Sequence, residues 1–136
     1  MKPRVVLADD YRASLLACEA TLQGTCNVVA MGVDGDSALE AIRRYKPEVA
    51  VLDVAMPGLT GMDVTRIAIQ EQPSLGIVIC TLSRDLAIIR AAADAGARGY
   101  VFKVTIFRDL ADAVATVAKG GEFFPQEQLC SAAVGR

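Results

Sequence analysis

The chain has 136 residues, with 14 lysines and arginines against 16 aspartates and glutamates, so its formal net charge is −2. This length fits one domain, and a hydrophobic content of 53% excludes an intrinsically disordered chain. The slight excess of acidic residues gives no overall attraction to nucleic acid. Histidine is absent, which excludes Ser-His-Asp triads, Cys-His dyads and histidine-ligated metal sites.

The cysteines give no sign of a metal or redox motif. The four residues Cys18, Cys26, Cys80 and Cys130 are widely spaced, and none belongs to a C-x-x-C pair. We expect them to be reduced and to behave as small buried hydrophobic residues. The N-terminus has no signal-peptide hydrophobic region, and no segment has the length of a membrane span. A soluble cytoplasmic protein is therefore expected, without a membrane partner.

Five short apolar runs predict five strands, at residues 5–8, 27–31, 49–52, 77–80 and 99–102. Three of these runs are wholly apolar, without alternating polar residues. Continuous apolar runs of this length are typical of strands that are buried on both faces of a parallel sheet.

Segments after the runs carry apolar residues at every third or fourth position and predict five amphipathic helices. In chain order the stripes are Tyr11, Leu15, Cys18 and Leu22; Ala38, Ala41, Ile42 and Tyr45; Val64, Ile67 and Ala68; Leu86, Ile89 and Ala93; and Phe107, Leu110, Ala111, Val114, Val117 and Ala118. Ser83 is the expected N-cap of the fourth helix, and Gly96 follows its end. Strict alternation of strand and helix predicts an α/β domain with a parallel sheet and helices on both faces.

Polar side chains follow four of the five predicted strands. In open parallel sheets, sites form outside the carboxyl ends of the strands, where Asp9, Asp10, Asp53, Thr81 and Lys103 fall. Three carboxylates in one concavity repel each other, and oxygen ligands without nitrogen or sulfur favour Mg²⁺. A lysine and a hydroxyl beside them suit the stabilisation of a transferring phosphoryl group. Because no other nucleophile is evident, Asp53 is the natural phosphoryl acceptor.

Four segments that hold these residues resemble the receiver domain of two-component response regulators, over about residues 4–120. They are VVLADD at 5–10, VLDVAMPG at 51–58, ICT at 79–81 and GARGYVFK at 96–103. The following GGEFFP, at 120–125, is similar to the end of the receiver in the NarL/FixJ-type subfamily, which carries a LuxR-type helix-turn-helix output domain. The resemblance implies a receiver domain at 1–120 and a linker or tail at 121–136, toward an output domain absent from this chain.

The resemblance also implies a fold and a set of residue roles. The fold is the flavodoxin-like (βα)5 architecture, a doubly wound sheet of five parallel strands in the order 2-1-3-4-5. The implied catalytic residues are Asp53, as the phosphoacceptor, Thr81 and Lys103. The implied switch residues are Thr81, whose hydroxyl contacts the phosphoryl group, and Tyr100. The implied Mg²⁺ ligands are Asp9, Asp10, Asp53 and the backbone carbonyl of Ala55.

The implied protein is a signalling switch rather than an enzyme, although it assists its own phosphorylation and autodephosphorylation. A sensor histidine kinase would supply the phosphoryl group. Phosphorylation would promote a homodimer, and DNA would be bound only through the missing output domain, in transcription regulation.

Two departures from the family pattern leave an alternative open. Leu82 follows Thr81 where many members carry a small residue, and Val104 follows Lys103 where many carry proline. A receiver-like interaction module that works without phosphorylation therefore remains a candidate. A haloacid-dehalogenase-like phosphohydrolase also combines Asp, Thr, Lys and Mg²⁺. However, it needs a second carboxylate two residues after the nucleophile, where this chain has Ala55.

Overall fold

The structure is a computed structural model that describes residues 2–125. The strands are β1 (Arg4–Ala8), β2 (Asn27–Gly32), β3 (Val49–Leu52), β4 (Gly76–Thr81) and β5 (Gly99–Phe102). The helices are α1 (Arg12–Leu22), α2 (Gly35–Tyr45), α3 (Gly61–Glu71), α4 (Leu86–Ala95) and α5 (Ile106–Ala118). Among the described residues, no helix combines the length and apolarity that crossing a bilayer requires. Cys130 and most of the predicted tail lie outside the described range.

All five strands pair in parallel, in the order β2-β1-β3-β4-β5. This confirms the doubly wound, flavodoxin-like topology. In the centre of the sheet Ala8 of β1 lies opposite Leu52 of β3. The pairing continues beyond the strand end, where the Asp53 amide donates to the Ala8 carbonyl at 3.0 Å. This register brings the residues that follow β1 and β3 to the same edge of the sheet.

The sheet is covered by helices on both faces, which is why its strands are apolar on both sides. Helices α2, α3 and α4 pack over a core that includes Leu52, Ile79 and Ile89. Helices α1 and α5 pack against each other over a second core that includes Leu22 and Leu110. Each fully buried aliphatic side chain stabilises the fold by about 1.5–3 kcal/mol. The two cores hold the central strands rigidly and fix the positions of their carboxyl ends.

Helix α4 begins at Leu86, two residues later than a cap at Ser83 predicts. The Asp85 side chain accepts a hydrogen bond from the Ala87 amide at 2.9 Å and is the N-cap. The prediction that Ser83 is the cap was wrong, because its hydroxyl instead accepts from the Asp85 amide at 3.2 Å. Gly96, with φ of 108°, ends the helix as predicted.

Four residues of the predicted apolar stripes lie at the surface. Tyr11 and Phe107 are 65% and 78% exposed, and Tyr45 and Ala93 are also exposed. In α5, Ile106 is buried in place of Phe107, since the spacing of four residues from Ile106 to Leu110 leaves position 107 on the outer face. In α4, the buried residue is Ala92, three residues after the buried Ile89, rather than Ala93.

The chain returns to the sheet after α5. Gly120 adopts a φ of 90°, and the chain then runs beside β5. The Phe123 amide donates to the Arg98 carbonyl at 2.9 Å, and the Tyr100 amide donates to the Phe123 carbonyl at 2.8 Å. The first residues of the predicted linker thus lie along the edge of β5. A boundary between receiver and linker at residue 120 remains a prediction.

Candidate functional site

Three carboxylates meet at the carboxyl edge of the sheet. Asp9 and Asp10 follow β1, and Asp53 follows β3; one carboxylate oxygen from each lies within 4.8 Å of the others. Asp9 and Asp53 are buried, with 4% and 7% exposure, whereas Asp10 is open to solvent. We call these three residues the acidic cluster.

Lys103 reaches into the acidic cluster from the end of β5. Its Nζ lies 2.7 Å from Asp9 Oδ2 and donates to Asp53 Oδ2 at 3.0 Å. Only 11% of the lysine side chain is exposed. Burial lowers the pKa of Lys103, but the hydrogen bonds with the two carboxylates outweigh it, and the pKa lies above its usual value. The ammonium group therefore stays charged and joins the two buried aspartates.

The acidic cluster fits a divalent cation. Burial raises the pKa of Asp9, and the hydrogen bonds from Lys103 and from the Tyr11 amide oppose this shift only in part. Three carboxylates thus face one ammonium group, so uncompensated repulsion remains. The donor set consists of oxygen atoms alone and includes an exposed carboxylate, which suits Mg²⁺ and leaves room for its bound waters.

The loop after β3 fixes the orientation of Asp53. Its Oδ1 accepts from the Val54 amide at 2.8 Å, while Oδ2 is held by Lys103. The Val54 carbonyl in turn accepts from the Gly61 amide at 2.9 Å. A Cβ atom at Gly61 would overlap the Asp53 carbonyl oxygen, so only glycine allows α3 to begin this close to the site.

An open cavity of about 410 Å³ gives access to Asp53. Its lining residues are Asp10, Tyr11, Ser14, Asp53, Ala55, Leu82, Lys103 and Val104. Leu82 and Val104 are each 66% exposed. These two departures from the family pattern form an apolar rim around the acidic cluster and leave the cavity open. Ala55 is exposed on the loop between β3 and α3.

Thr81 and Tyr100 lie on the neighbouring strands β4 and β5. Thr81 is the last residue of β4 and is 7% exposed. The Tyr100 hydroxyl donates to the Ser83 carbonyl at 2.9 Å, and burial raises the pKa of Tyr100 to about 12 although this hydrogen bond opposes the shift. Neither residue lines the cavity above Asp53. The hydrogen bond ties Tyr100 to the loop that immediately follows Thr81.

Sequence reasoning missed two features of this site. One is the direct contact of Lys103 with Asp9, since the sequence analysis related Lys103 to the transferring phosphoryl group and not to a particular carboxylate. The other is the surface position of Tyr11 and Phe107, which the stripes assigned to buried faces. The sequence did contain a signal for this: Ile106, beside Phe107, is also apolar, so the buried stripe of the helix could equally begin at Ile106.

Comparisons with known proteins identify the family. Residues 5–115 match the model described as the response regulator receiver domain. The transcriptional regulatory protein DegU of Brevibacillus brevis is 31% identical over 128 residues, which cover 90% of this chain and 52% of that protein. The probable transcriptional regulatory protein NarL of Mycobacterium tuberculosis H37Rv is 33% identical, over 88% of this chain and 56% of that protein. The chain spans about half the length of these curated relatives.

Solved structures agree in fold and family. A two-component response regulator of the LuxR family from Aurantimonas sp. SI85-9A1 has a TM-score of 0.91 and 26% identity, over 100% of this chain and 99% of that chain. The receiver domain of the putative response regulator NarL from Mycobacterium tuberculosis has a TM-score of 0.82 and 33% identity, over 88% and 98% of the two chains. Together with the parallel sheet and its acidic edge, these matches place the chain in the receiver-domain family of two-component response regulators, among relatives of the NarL and LuxR type.

Proposed function

We propose that this receiver domain is a phosphorylation-dependent switch in which Asp53 accepts a phosphoryl group from a phosphohistidine of a sensor histidine kinase. The P–N bond of the phosphohistidine breaks, and a P–O bond to the Asp53 carboxylate forms, giving an acyl phosphate. The observation that supports this most strongly is the acidic cluster within 4.8 Å, with Lys103 held 3.0 Å from Asp53.

The site residues have distinct proposed roles. Asp9, Asp10, Asp53 and the Ala55 backbone carbonyl would hold Mg²⁺, which supplies positive charge for the phosphoryl oxygens when bound. Lys103 contacts the Asp53 carboxylate, and this supports the proposal that its ammonium group would contact a phosphoryl oxygen on that residue. The same residues would assist autodephosphorylation, and the protein would act in signalling without turning over an external substrate.

Thr81 and Tyr100 are the proposed switch residues. Phosphorylation adds about one negative charge and further acceptor oxygens at Asp53. The Thr81 hydroxyl, at the end of the neighbouring strand, is the donor proposed to bind one of them. Movement of Thr81 would carry the following loop with it, including the Ser83 carbonyl that Tyr100 contacts at 2.9 Å. Phosphorylation would thereby shift the equilibrium of a two-state element.

The proposed output is a phosphorylation-linked homodimer that regulates transcription through a DNA-binding domain outside this chain. Two observations support it. Curated relatives about twice as long are called transcriptional regulatory proteins. One related structure is described as two RcsB dimers bound to two parallel DNAs.

Phosphorylation with acetyl phosphate and Mg²⁺ tests the proposal. Intact mass spectrometry is expected to show one added phosphoryl group on the unsubstituted chain and on the control Asp94→Asn, which changes an exposed aspartate of α4. Asp53→Asn should gain none, and EDTA should abolish the reaction. A phosphoryl group on Asp53→Asn at the same level as on the control would contradict the assignment of the acceptor.

Beryllofluoride distinguishes the alternative of an interaction module that works without phosphorylation. The proposed function predicts that Mg²⁺ and beryllofluoride together bind the unsubstituted chain. The substitution Leu82→Ala should change access to Asp53, but beryllofluoride should bind without it. If neither protein took up beryllofluoride or phosphoryl groups, the phosphorylation-independent module would be the better description.

A further inference from the structure

The segment that returns after α5 pairs with the outer edge of β5. The pairing is parallel and places Phe123 opposite Gly99. Successive side chains of the segment lie on opposite faces of the sheet, as in a strand. Phe123 packs against the core beneath α1 and α5, and Phe124 packs against the core beneath α2, α3 and α4. We call residues 122–125 the strap.

The strap binds the backbone of Tyr100, one of the two proposed switch residues. The Phe123 amide donates to the Arg98 carbonyl at 2.9 Å, and the Tyr100 amide donates to the Phe123 carbonyl at 2.8 Å. Tyr100 is only 1% exposed. A buried amide needs an acceptor, and the strap supplies the one that the Tyr100 amide has here. Detachment of the strap would therefore leave this amide without its protein partner.

The side chain of Tyr100 connects the same residue to the loop after Thr81. Its hydroxyl donates to the Ser83 carbonyl at 2.9 Å. Its ring meets the Phe102 ring edge to face, with 5.9 Å between the centroids, and both rings line an open cavity of about 360 Å³ that Phe124 of the strap also lines. Tyr100 thus makes one hydrogen bond to the strap and another to the loop that follows the other proposed switch residue.

We propose that the strap is the output element of the switch: it pairs with β5 most firmly when Tyr100 contacts the Ser83 carbonyl, and phosphorylation of Asp53 strengthens this pairing. The proposal rests on the proposed function, in which a phosphoryl oxygen binds the Thr81 hydroxyl. That bond restrains the loop after Thr81, and a restrained Ser83 carbonyl holds Tyr100 in place and with it the strap. By reciprocity, a paired strap favours the phosphorylated state by the same factor.

The strap is suited to this role by its place in the fold. It lies at the edge of the sheet, where Glu122 is exposed and Phe123, Phe124 and Pro125 are half-buried. Segments that bury little apolar surface open locally at a smaller free-energy cost than the whole domain. The strap can therefore detach while both cores stay closed. Because it forms the first part of the predicted linker, a change in its pairing changes the freedom of the chain that follows.

Amide hydrogen exchange, measured by NMR on the full chain, tests the strap. The Tyr100 and Phe123 amides report its pairing directly. The Asn27 amide, which donates to the Pro3 carbonyl at 2.8 Å, is the internal control at the opposite side of the sheet. With Mg²⁺ and beryllofluoride we expect exchange of the first two amides to slow at least about fivefold, the lower end of typical coupling between two sites. Exchange of the Asn27 amide should not change.

Three results of that measurement would overturn the proposal. In a chain that has bound beryllofluoride, they are unchanged exchange at Tyr100 and Phe123, faster exchange there, and equal slowing at all three amides. Failure of beryllofluoride to bind would instead contradict the proposed function, and the strap's role as its output would fall with it.

Substitution of the strap tests the reciprocal effect. Phe124→Ala changes a side chain outside the acidic cluster and outside the cavity above Asp53, and it should weaken beryllofluoride binding at least about fivefold if the strap favours that state. Phe107→Ala is the matched control, because this aromatic side chain on α5 is 78% exposed, and it should leave the affinity unchanged. Equal affinities of the two variants would overturn the coupling.

A third variant tests the connection between the strap and the loop without any phosphoryl mimic. Tyr100→Phe keeps the ring and removes only the hydroxyl that contacts the Ser83 carbonyl. We expect the Phe123 amide to exchange faster in this variant than in the unsubstituted chain, while the Asn27 amide is unaffected. Unchanged exchange of the Phe123 amide would show that the strap does not sense this contact, and the proposal would be wrong.

Discussion

Replacing Lys103 with methionine removes the only positive charge that contacts Asp9 and Asp53 within the described residues, while keeping most of the apolar stem. Both contacts are short, at 2.7 and 3.0 Å, and all three side chains are at most 11% exposed. The substitution leaves two buried carboxylates facing each other beside Asp10. We therefore expect a large loss of stability rather than the small effect of a surface ion pair.

The size of the loss follows from this burial. Removing one partner of a buried ion pair costs about 3–5 kcal/mol, because the remaining charge is left uncompensated. The open cavity beside the acidic cluster admits water, so we expect the lower end of that range for Lys103→Met. For a domain of this size, about 3 kcal/mol corresponds to a decrease of about 10 °C in Tm.

Urea unfolding followed by circular dichroism measures this loss, since the chain has no tryptophan to report by fluorescence. Lys119→Met is the matched control, because this lysine is exposed just after α5 and should change the free energy of unfolding by no more than about 0.5 kcal/mol. Saturating Mg²⁺ should stabilise Lys103→Met more than the unsubstituted chain, because the variant has lost the competing ammonium group.

The pH dependence provides a second test of the same pair. Folding raises the pKa of Asp9. The stability that Asp9 contributes through this shift is therefore fully present below its ordinary pKa of 3.8 and is lost as the pH rises through its pKa in the folded chain. The pKa of Lys103 is also raised in the folded chain. The stability that Lys103 contributes is therefore fully present below its ordinary pKa of 10.5 and is lost as the pH rises through its higher pKa in the folded chain. The stability difference between the unsubstituted chain and Lys103→Met should therefore be widest at neutral pH and should narrow in acid. Equal stabilities at neutral pH would refute this reasoning.

Three further substitutions test the geometry around the site and the core, each by urea unfolding. Gly61→Ala should destabilise the fold by about 1–3 kcal/mol and slow phosphoryl uptake, because the new methyl group displaces the Asp53 carbonyl; unchanged uptake would contradict this. Tyr100→Phe removes one hydrogen bond to the loop after β4 and should cost about 1 kcal/mol, and an equally stable variant would show that this bond contributes nothing. Leu110→Ala should cost about 2–5 kcal/mol, while Phe107→Ala should stay within about 0.5 kcal/mol; the reverse order would contradict the observed phase of α5.

The architecture could be predicted from the sequence because its short apolar runs alternate with segments of helical periodicity. Residues 49–52 and 77–80 are apolar at every position, which is typical of strands buried on both faces, and both lie inside the sheet. Parallel strands end at one edge, so Asp9, Asp10 and Asp53 could be expected to lie together from their positions alone. The order of the strands was implied by the family resemblance and is confirmed by the pairing.

The details that escaped prediction depend on side-chain packing between distant segments. Ile106 and Phe107 are adjacent and both apolar, and the packing of α5 on the sheet and on α1 decides which of them is buried. Lys103 contacts both Asp9 and Asp53 because of where its long side chain crosses the end of the sheet, and no local sequence pattern encodes that path.

The central claim is that this acidic edge holds a metal so that Asp53 can accept a phosphoryl group. A structure of crystals grown with Mg²⁺ and beryllofluoride tests it most directly. The claim predicts one Mg²⁺ with carboxylate oxygens of Asp10 and Asp53 at about 2.1 Å, and beryllofluoride bonded to Asp53 with Lys103 in contact. Beryllofluoride on another residue, or a metal ion bound away from these aspartates, would contradict it.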